Sequence, residues 1–398
     1  MKVNFEKKKL DNGVTILFEK RNLPVVSISA SVKEGFAYEK EKNKGISHFL
    51  EHLMFKGTKT RTYKQIAEEI EKKGGILNAY TSEQVTSYWN KLPKKYFTSG
   101  INIASDLILN PKLDEIEFEK EKKVILEEIK MYKDNPQLYV IDKIKSLLYK
   151  KPFGISGIGL KENIIKFSRK NLADFHEMTY TTDKMYICVV GNTSMEKIEA
   201  FAKKFPKTKG KVSDIKPIKI NKNLIETRAG VDQANLVFAF HTASLLDKKR
   251  YAHEILNAIL AGGMSSRLFE EIREKRGLAY AVKGELEQGT NFGYNLIYAG
   301  TTKDNAKQCK EIILREIKKI KNLQKKDLEE AKEQLIGLRK VGSEESINVM
   351  NSLVQEAITG KPEEFYRYDE KISRIKLSEV RNLSNIKGYS SITLMPKL

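Results

Sequence analysis

The 398 residues are 40% hydrophobic and 31% charged, which is enough apolar material for two ordinary domains and more than one core comfortably holds. Apolar periodicity persists from end to end and excludes a disordered chain. Lys and Arg number 72 against 52 Asp and Glu, a net charge of +20, but the lysines are spread along nearly every helix without interleaved aromatics or a nucleic-acid-binding signature, so the charge reads as a solvated surface and no nucleic-acid partner is expected.

The predicted elements begin with strands at 14–18 and 25–32, the second (VVSISASV) alternating small and branched residues. A helix pattern covers 46–55, and another, 63–73, ends at the C-cap signal Gly74-Gly75. Strand-like ILNAYTS and VTSYWNKL follow, then helices near 95–109, 114–133, 138–148 and 168–178, a strand at 185–190 and a helix at 194–204. Residues 207–223 are basic, carry Pro217 and lack amphipathic period, so the domain boundary is placed there: 1–206, a linker, and 224–398.

The second part repeats the order of the first. Strand 235–240 precedes helices near 248–261 and 265–275, then strands at 280–287 and 292–299. With Phe118 set on Leu328, Ile125 and Leu126 fall on Leu335 and Ile336. The expectation is an α+β fold of two duplicated domains, each a mostly antiparallel or mixed sheet packed with helices. In that register Glu128 meets Leu338, so the copies share a scaffold and not a chemistry.

Only five histidines occur, and two of them, His48 and His52, stand in GISHFLEHLMFKGT. Residues four apart on a helix lie nearly one above the other, about 5–6 Å between Cβ atoms, so the two imidazoles can close on one ion. Zinc suits such nitrogen ligands and keeps a position open for water in catalytic sites. Glu51 borders the same face, where a general base belongs. A further carboxylate should come from the helix at 114–133: Glu121 and Glu128, two turns apart, share a face, whereas Glu127 is rotated about 100° from Glu128. One of that pair can bind metal and the other accept a hydrogen bond from a ligand histidine. Chance occurrence of the inverted zinc motif at this chain's residue frequencies is under about 0.01. His176, His241 and His253 are isolated from further ligands and read as structural.

HFLEH with Glu128 inside EKEKKVILEEIK resembles the pitrilysin-type inverted-motif zinc metallopeptidases, in particular their short-chain bacterial and archaeal members akin to the processing peptidase. The resemblance implies one Zn²⁺ per chain on His48, His52 and Glu128, with Glu51 activating water and Glu121 supporting a ligand. It also implies domains paired across a chamber. The strand of Asn78 and Ala79, otherwise an ordinary strand entering a hairpin, would hold an extended peptide at the sheet edge, with Glu83 in support. Arg273 and Tyr280, otherwise a helix charge and a strand start, match the arginine and tyrosine that grip substrate beside the scissile bond.

The expected function is thus a zinc endopeptidase acting on peptides or unfolded segments. One chain carrying both the metal motif and the Arg-Tyr element argues for a homodimer. The alternative, a non-catalytic scaffold subunit of the same fold, is disfavoured because all four motif residues stand. Two cysteines are too few for a disulfide framework and favour a reducing compartment; with no leader-like or membrane-spanning stretch, the expectation is a cytoplasmic protein without a membrane partner.

Overall fold

A computed structural model of the chain describes residues 4–211 and 215–397. The first sheet contains β1 (Phe5–Lys9), β2 (Thr15–Lys20), β3 (Val25–Val32), β4 (Ile76–Thr81), β5 (Thr86–Pro93) and β6 (Met185–Gly191), in the order β1-β2-β6-β3-β5-β4. The second contains β7 (Asn223–Arg228), β8 (Ala234–His241), β9 (Ala279–Gln288), β10 (Gly293–Thr301) and β11 (Ser390–Pro396), in the order β7-β11-β8-β10-β9. Leave out β1 and the two orders coincide strand for strand. The directions coincide too: β2 is parallel to β6 and β7 to β11, and every other pairing is antiparallel. The expected duplication of a mixed α+β unit is therefore written in the topology.

Helices α1 (Ile46–Met54) and α2 (Tyr63–Glu71) lie between β3 and β4, and α3 (Phe97–Leu109), α4 (Glu115–Asp134) and α5 (Pro136–Leu148) follow β5. The alternation in β3 sends Val26, Ile28, Ala30 and Val32 into the main core of the first sheet. Ser27, Ser29 and Ser31 point the other way and are equally buried, because the helix Ser346–Ala357 covers them. Ser27 Oγ lies 2.8 Å from Ser346 Oγ, and side chains this small let the helix lie close to the sheet. On the second sheet the cover is α5, packed on β8 and β11, with Ser390 Oγ donating to the Leu147 carbonyl at 2.8 Å.

Each half of the sequence thus hands a helix to the other half's sheet, and the compact units are not contiguous. One comprises the chain up to Ile129 with Gly157–Ile215 and Val341–Tyr366; the other comprises Lys130–Ser156, Lys216–Lys340 and Arg367 onward. The simple division 1–206 and 224–398 describes where the strands fall, not how the units are composed. The expected linker 207–223 differs as well. Positions 212–214 lie outside the described residues, but Lys150 N donates to Ile218 O at 2.9 Å and Ile220 N to Leu148 O at 2.8 Å, and Asn223 already begins β7. Main-chain pairing there needs no amphipathic pattern, so periodicity did not reveal it. No described helix is long and apolar enough to cross a membrane.

Candidate metal centre

The local sequence of α1 sorts its faces. Ile46, Phe49, Leu50, Leu53 and Met54 are buried, the spacing of an inward apolar stripe, which leaves His48, Glu51 and His52 together on the remaining face. The start of the helix is fixed by its surroundings. Gly45 adopts φ +98°, and a Cβ there would lie 2.7 Å from Gly159 Cα, so only glycine fits. The buried Glu39 carboxylate accepts from Gly45 N at 3.0 Å and Ser47 N at 2.8 Å, satisfying free N–H groups and complementing the positive end of the helix. On α4, Phe118, Glu121, Ile125 and Ile129 form the buried stripe, with Glu128 at its margin.

These two helices bring the expected ligand atoms together. His48, His52 and Glu128 each offer an atom such that all lie within 4.8 Å of one another, the one such acidic, histidine or cysteine group among the described residues. Glu128 Oε2 stands 3.6 Å from His48 Nε2 and 3.5 Å from His52 Nε2. Those separations are too long for hydrogen bonds and match the edge of a tetrahedron whose bonds are about 2.0–2.2 Å. Glu128 Oε2 is buried without a hydrogen-bond partner, a state that costs free energy unless an ion takes the lone pair. The residues therefore fit a divalent cation.

Glu121 Oε2 lies 3.2 Å from His52 Nδ1, and its Oε1 lies 2.7 Å from Lys56 Nζ. With Nδ1–H donated to Glu121, the His52 lone pair is on Nε2, aimed at the cluster. Glu51 Oε2 accepts from Thr81 Oγ1.

The electrostatics follow from burial and neighbours. Burial, and then the charge of His52, push His48 down to about 4, so its ring is neutral, although the Ile158 carbonyl favours the protonated form; Nδ1 itself makes no hydrogen bond of acceptable geometry. Burial works against a charged His52, but the Glu121 hydrogen bond and the nearby carboxylates outweigh it and raise that group. Burial raises Glu51 and Glu128 above the usual carboxylate range. For Glu121 burial is outweighed by hydrogen bonds from His52 and Lys56, which hold it low.

The other expected site residues fall in two places. Asn78 and Ala79 lie on β4, the outermost strand of the first sheet, where Asn78 Oδ1 accepts from Ala79 N at 2.8 Å. Glu83 sits in the following hairpin turn, where its carbonyl accepts from Ala37 N at 2.8 Å. Arg273 and Tyr280 belong to the other unit. There the helix expected at 265–275 includes a π-helical stretch, Phe269–Glu274. Tyr280 is on β9, the outermost strand of the second sheet, and the Arg273 guanidinium stands 5.2 Å from its ring centre. His176, His241 and His253 each bond a main-chain carbonyl, at 2.7, 3.1 and 3.1 Å. Sequence reasoning missed Thr81 and Lys56. Lys56 sits four residues beyond His52, a spacing that could have flagged it, while Thr81 carried no signal.

A mixed sheet backed by helices, used twice, with an HxxEH helix crossing a glutamate helix in the first copy, defines the class. Residues 14–159 match the insulinase (peptidase family M16) model, and residues 166–335 match the model described as the peptidase M16 inactive domain. A Rickettsia felis protein named uncharacterized zinc protease is 36% identical, covering 99% of this chain and 97% of its own. The uncharacterized zinc protease YmxG of Bacillus subtilis is 32% identical over 94% and 93%, and the bovine mitochondrial-processing peptidase subunit beta is 33% identical over 55% of this chain and 46% of its own. The chain belongs to the M16 peptidase family. In fold it is similar to a protease from Helicobacter pylori, at TM-score 0.92 and 21% identity over 99% of this chain and 100% of that one. The label "inactive" attaches to a segment that begins after Glu128, so the metal cluster lies wholly within the other match.

Proposed function

We propose that this chain is a zinc metalloendopeptidase that cleaves peptides and unfolded protein segments. The observation that carries the reading is the convergence of His48, His52 and Glu128 on one point, with a buried, unpartnered carboxylate oxygen among them. Two imidazoles and one carboxylate are a catalytic zinc donor set, and we assign one Zn²⁺ per chain to them. When bound there, the ion would supply Lewis-acid chemistry, lowering the pKa of a bound water to about 7 and polarising a carbonyl.

The chain's own residues do the rest. Glu51 takes a proton from water and later delivers it to the leaving amine. Glu121 holds the His52 ring in the tautomer that ligates. The free side of β4 offers main-chain groups to an extended peptide, which supports Asn78 and Ala79 as substrate-binding positions with Glu83 behind them. Arg273 and Tyr280 are assigned the grip on the substrate main chain; the Arg273 guanidinium, carried by the π-helical stretch, lies 5.2 Å from the ring centre of the exposed Tyr280 on β9, which supports a binding role. The free, buried Cys188 and Cys309 support a reducing, cytoplasmic location, and the presence of both elements in one chain supports a homodimer.

Metal analysis and cleavage of an unfolded peptide test the reading on wild type, Glu51→Gln and His52→Ala. Zinc is expected in the first two and lost from the third, with turnover only in the wild type. Full turnover by Glu51→Gln, or a wild type that binds no zinc, overturns it.

A further inference from the structure

We infer that Thr81 is a positioning residue that aims the Glu51 carboxylate, an inference that rests on the reading of Glu51 as the base. Thr81 is the last residue of β4, and its hydroxyl donates to Glu51 Oε2 at 2.5 Å. A single donor on one oxygen fixes the carboxylate plane and leaves Oε1 as the oxygen that meets water. Without it a glutamate on a helix surface samples several χ rotamers, and misplacement of a reacting group by about 1 Å costs on the order of 100-fold in rate.

The hydroxyl is a reliable anchor because the backbone beneath it is held on both sides. Thr81 pairs with Thr86 of β5, and Thr86 Oγ1 donates to the Glu34 carbonyl at 3.0 Å. Just beyond, Ser82 N donates to Val85 O at 2.8 Å, and the Ser82 and Glu83 carbonyls accept from Phe36 N at 3.2 Å and Ala37 N at 2.8 Å. That second strand of contacts needs glycine at 35, where a Cβ would lie 2.3 Å from Ser82 O. By strand alternation Thr81 shares the inward face with Leu77 and Ala79, which pack on the core containing α1. Asn78 is on the opposite face. The strand proposed to bind peptide therefore also orients the base, through a side chain that peptide binding does not consume.

Thr81→Val removes the hydroxyl at nearly constant shape and suits a strand. The expected result is unchanged zinc content and fold, kcat reduced about 10- to 100-fold, and KM within about twofold, because the peptide-binding main chain is intact. Thr81→Ser restores most of the lost kcat. In a Glu51→Gln background Thr81→Val has no further effect on the residual rate, since a residue acting only through Glu51 has nothing left to aim. Wild-type kcat in Thr81→Val, a loss that Ser does not rescue, or an additive loss in the Glu51→Gln background overturns the inference. Should Thr81→Val unfold, the Thr81→Ser and Thr81→Ala pair gives the same reading. Wild-type turnover by Glu51→Gln alone is a different failure, that of the base assignment itself.

Discussion

The Phe49 and Phe118 rings stack with centroids 5.0 Å apart and planes 7° from parallel. Phe49 follows His48 on α1, and Phe118 lies one turn before Glu121 on α4, so this pair joins the helix that carries the imidazoles to the helix that carries the carboxylates. Both are fully buried. The ligand geometry is therefore set by core packing, and Phe118→Ala should cost about 3–5 kcal/mol of stability while also weakening zinc binding, although Phe118 touches no metal. Urea unfolding of the metal-free protein and zinc competition against a chelator measure the two effects. An unchanged zinc affinity in a destabilised but folded variant would show that the helices keep their relation without the stack.

Glu121 acts one bond further out. Because it holds His52 Nδ1–H and is itself held by Lys56, Glu121→Ala should lower zinc affinity about 10- to 100-fold. Glu121→Gln retains an acceptor oxygen and should lose less. A chelator titration ranks them, and equal affinities for wild type and Glu121→Ala would contradict the role.

The sequence carried most of this centre because its logic is local: histidines four apart on one face of an amphipathic helix, and Glu121 and Glu128 two turns apart on another. The pairing of those helices could be inferred only from chemical need. Thr81 was not legible, since a hydroxyl on a strand looks like any other until the tertiary fold supplies Glu51; Lys56 offered only its spacing from His52, and its partner Glu121 comes from a separate helix. The exchange of helices between the halves was invisible for a similar reason. Periodicity shows that 138–148 is a helix with an apolar face, and it says nothing about which sheet receives that face. β1, with sequence FEKKK and a mostly exposed pattern, offers no apolar alternation at all.

A pH dependence should come from Glu34, which is buried with Lys184 Nζ 3.5 Å away. Burial, opposed by Lys184, pushes its carboxyl up to about 7 from an ordinary 4.5. The folded state then holds the proton more tightly than the unfolded one, so the contribution to stability is complete below about 4.5 and is lost as the pH rises through about 7. The total is on the order of 3 kcal/mol. Unfolding free energies of wild type and Glu34→Gln, measured from pH 4 to 8, should show the wild type losing ground to the variant across that window, the difference cancelling the titration of buried histidines. A constant difference would place Glu34 in its ordinary range.

The helix Ser346–Ala357 makes a prediction about fragments. It buries Val349, Met350, Leu353 and Val354, and without it the serine face of β3 is bare. A fragment of residues 1–206 should therefore be partly folded and protease-sensitive, and a peptide spanning 341–366 added in trans should protect it. Native-like protease resistance of the fragment alone would show that the helix is dispensable cover.

Tyr280 is 81% exposed on β9, which is unusual for a large ring with no structural task. Its neighbour is informative: the Arg273 guanidinium lies 4.7 Å from the Phe269 ring centre and 5.2 Å from that of Tyr280. A cation in contact with two rings restrains both the arginine fork and the tyrosine plane, while Tyr280 itself stays largely exposed. The π-helical turn that carries Phe269 and Arg273 is of the kind that re-aims side chains at functional sites. Tyr280→Phe separates the two properties, keeping the ring and the perch of Arg273 and deleting only the donor. If that hydroxyl stabilises charge developing on the substrate, kcat should fall about 100-fold or more with the melting temperature and KM nearly unchanged. If Arg273 holds the substrate main chain as proposed, Arg273→Ala should instead raise KM. A Tyr280→Phe variant with wild-type kcat would leave the tyrosine a purely aromatic support for Arg273.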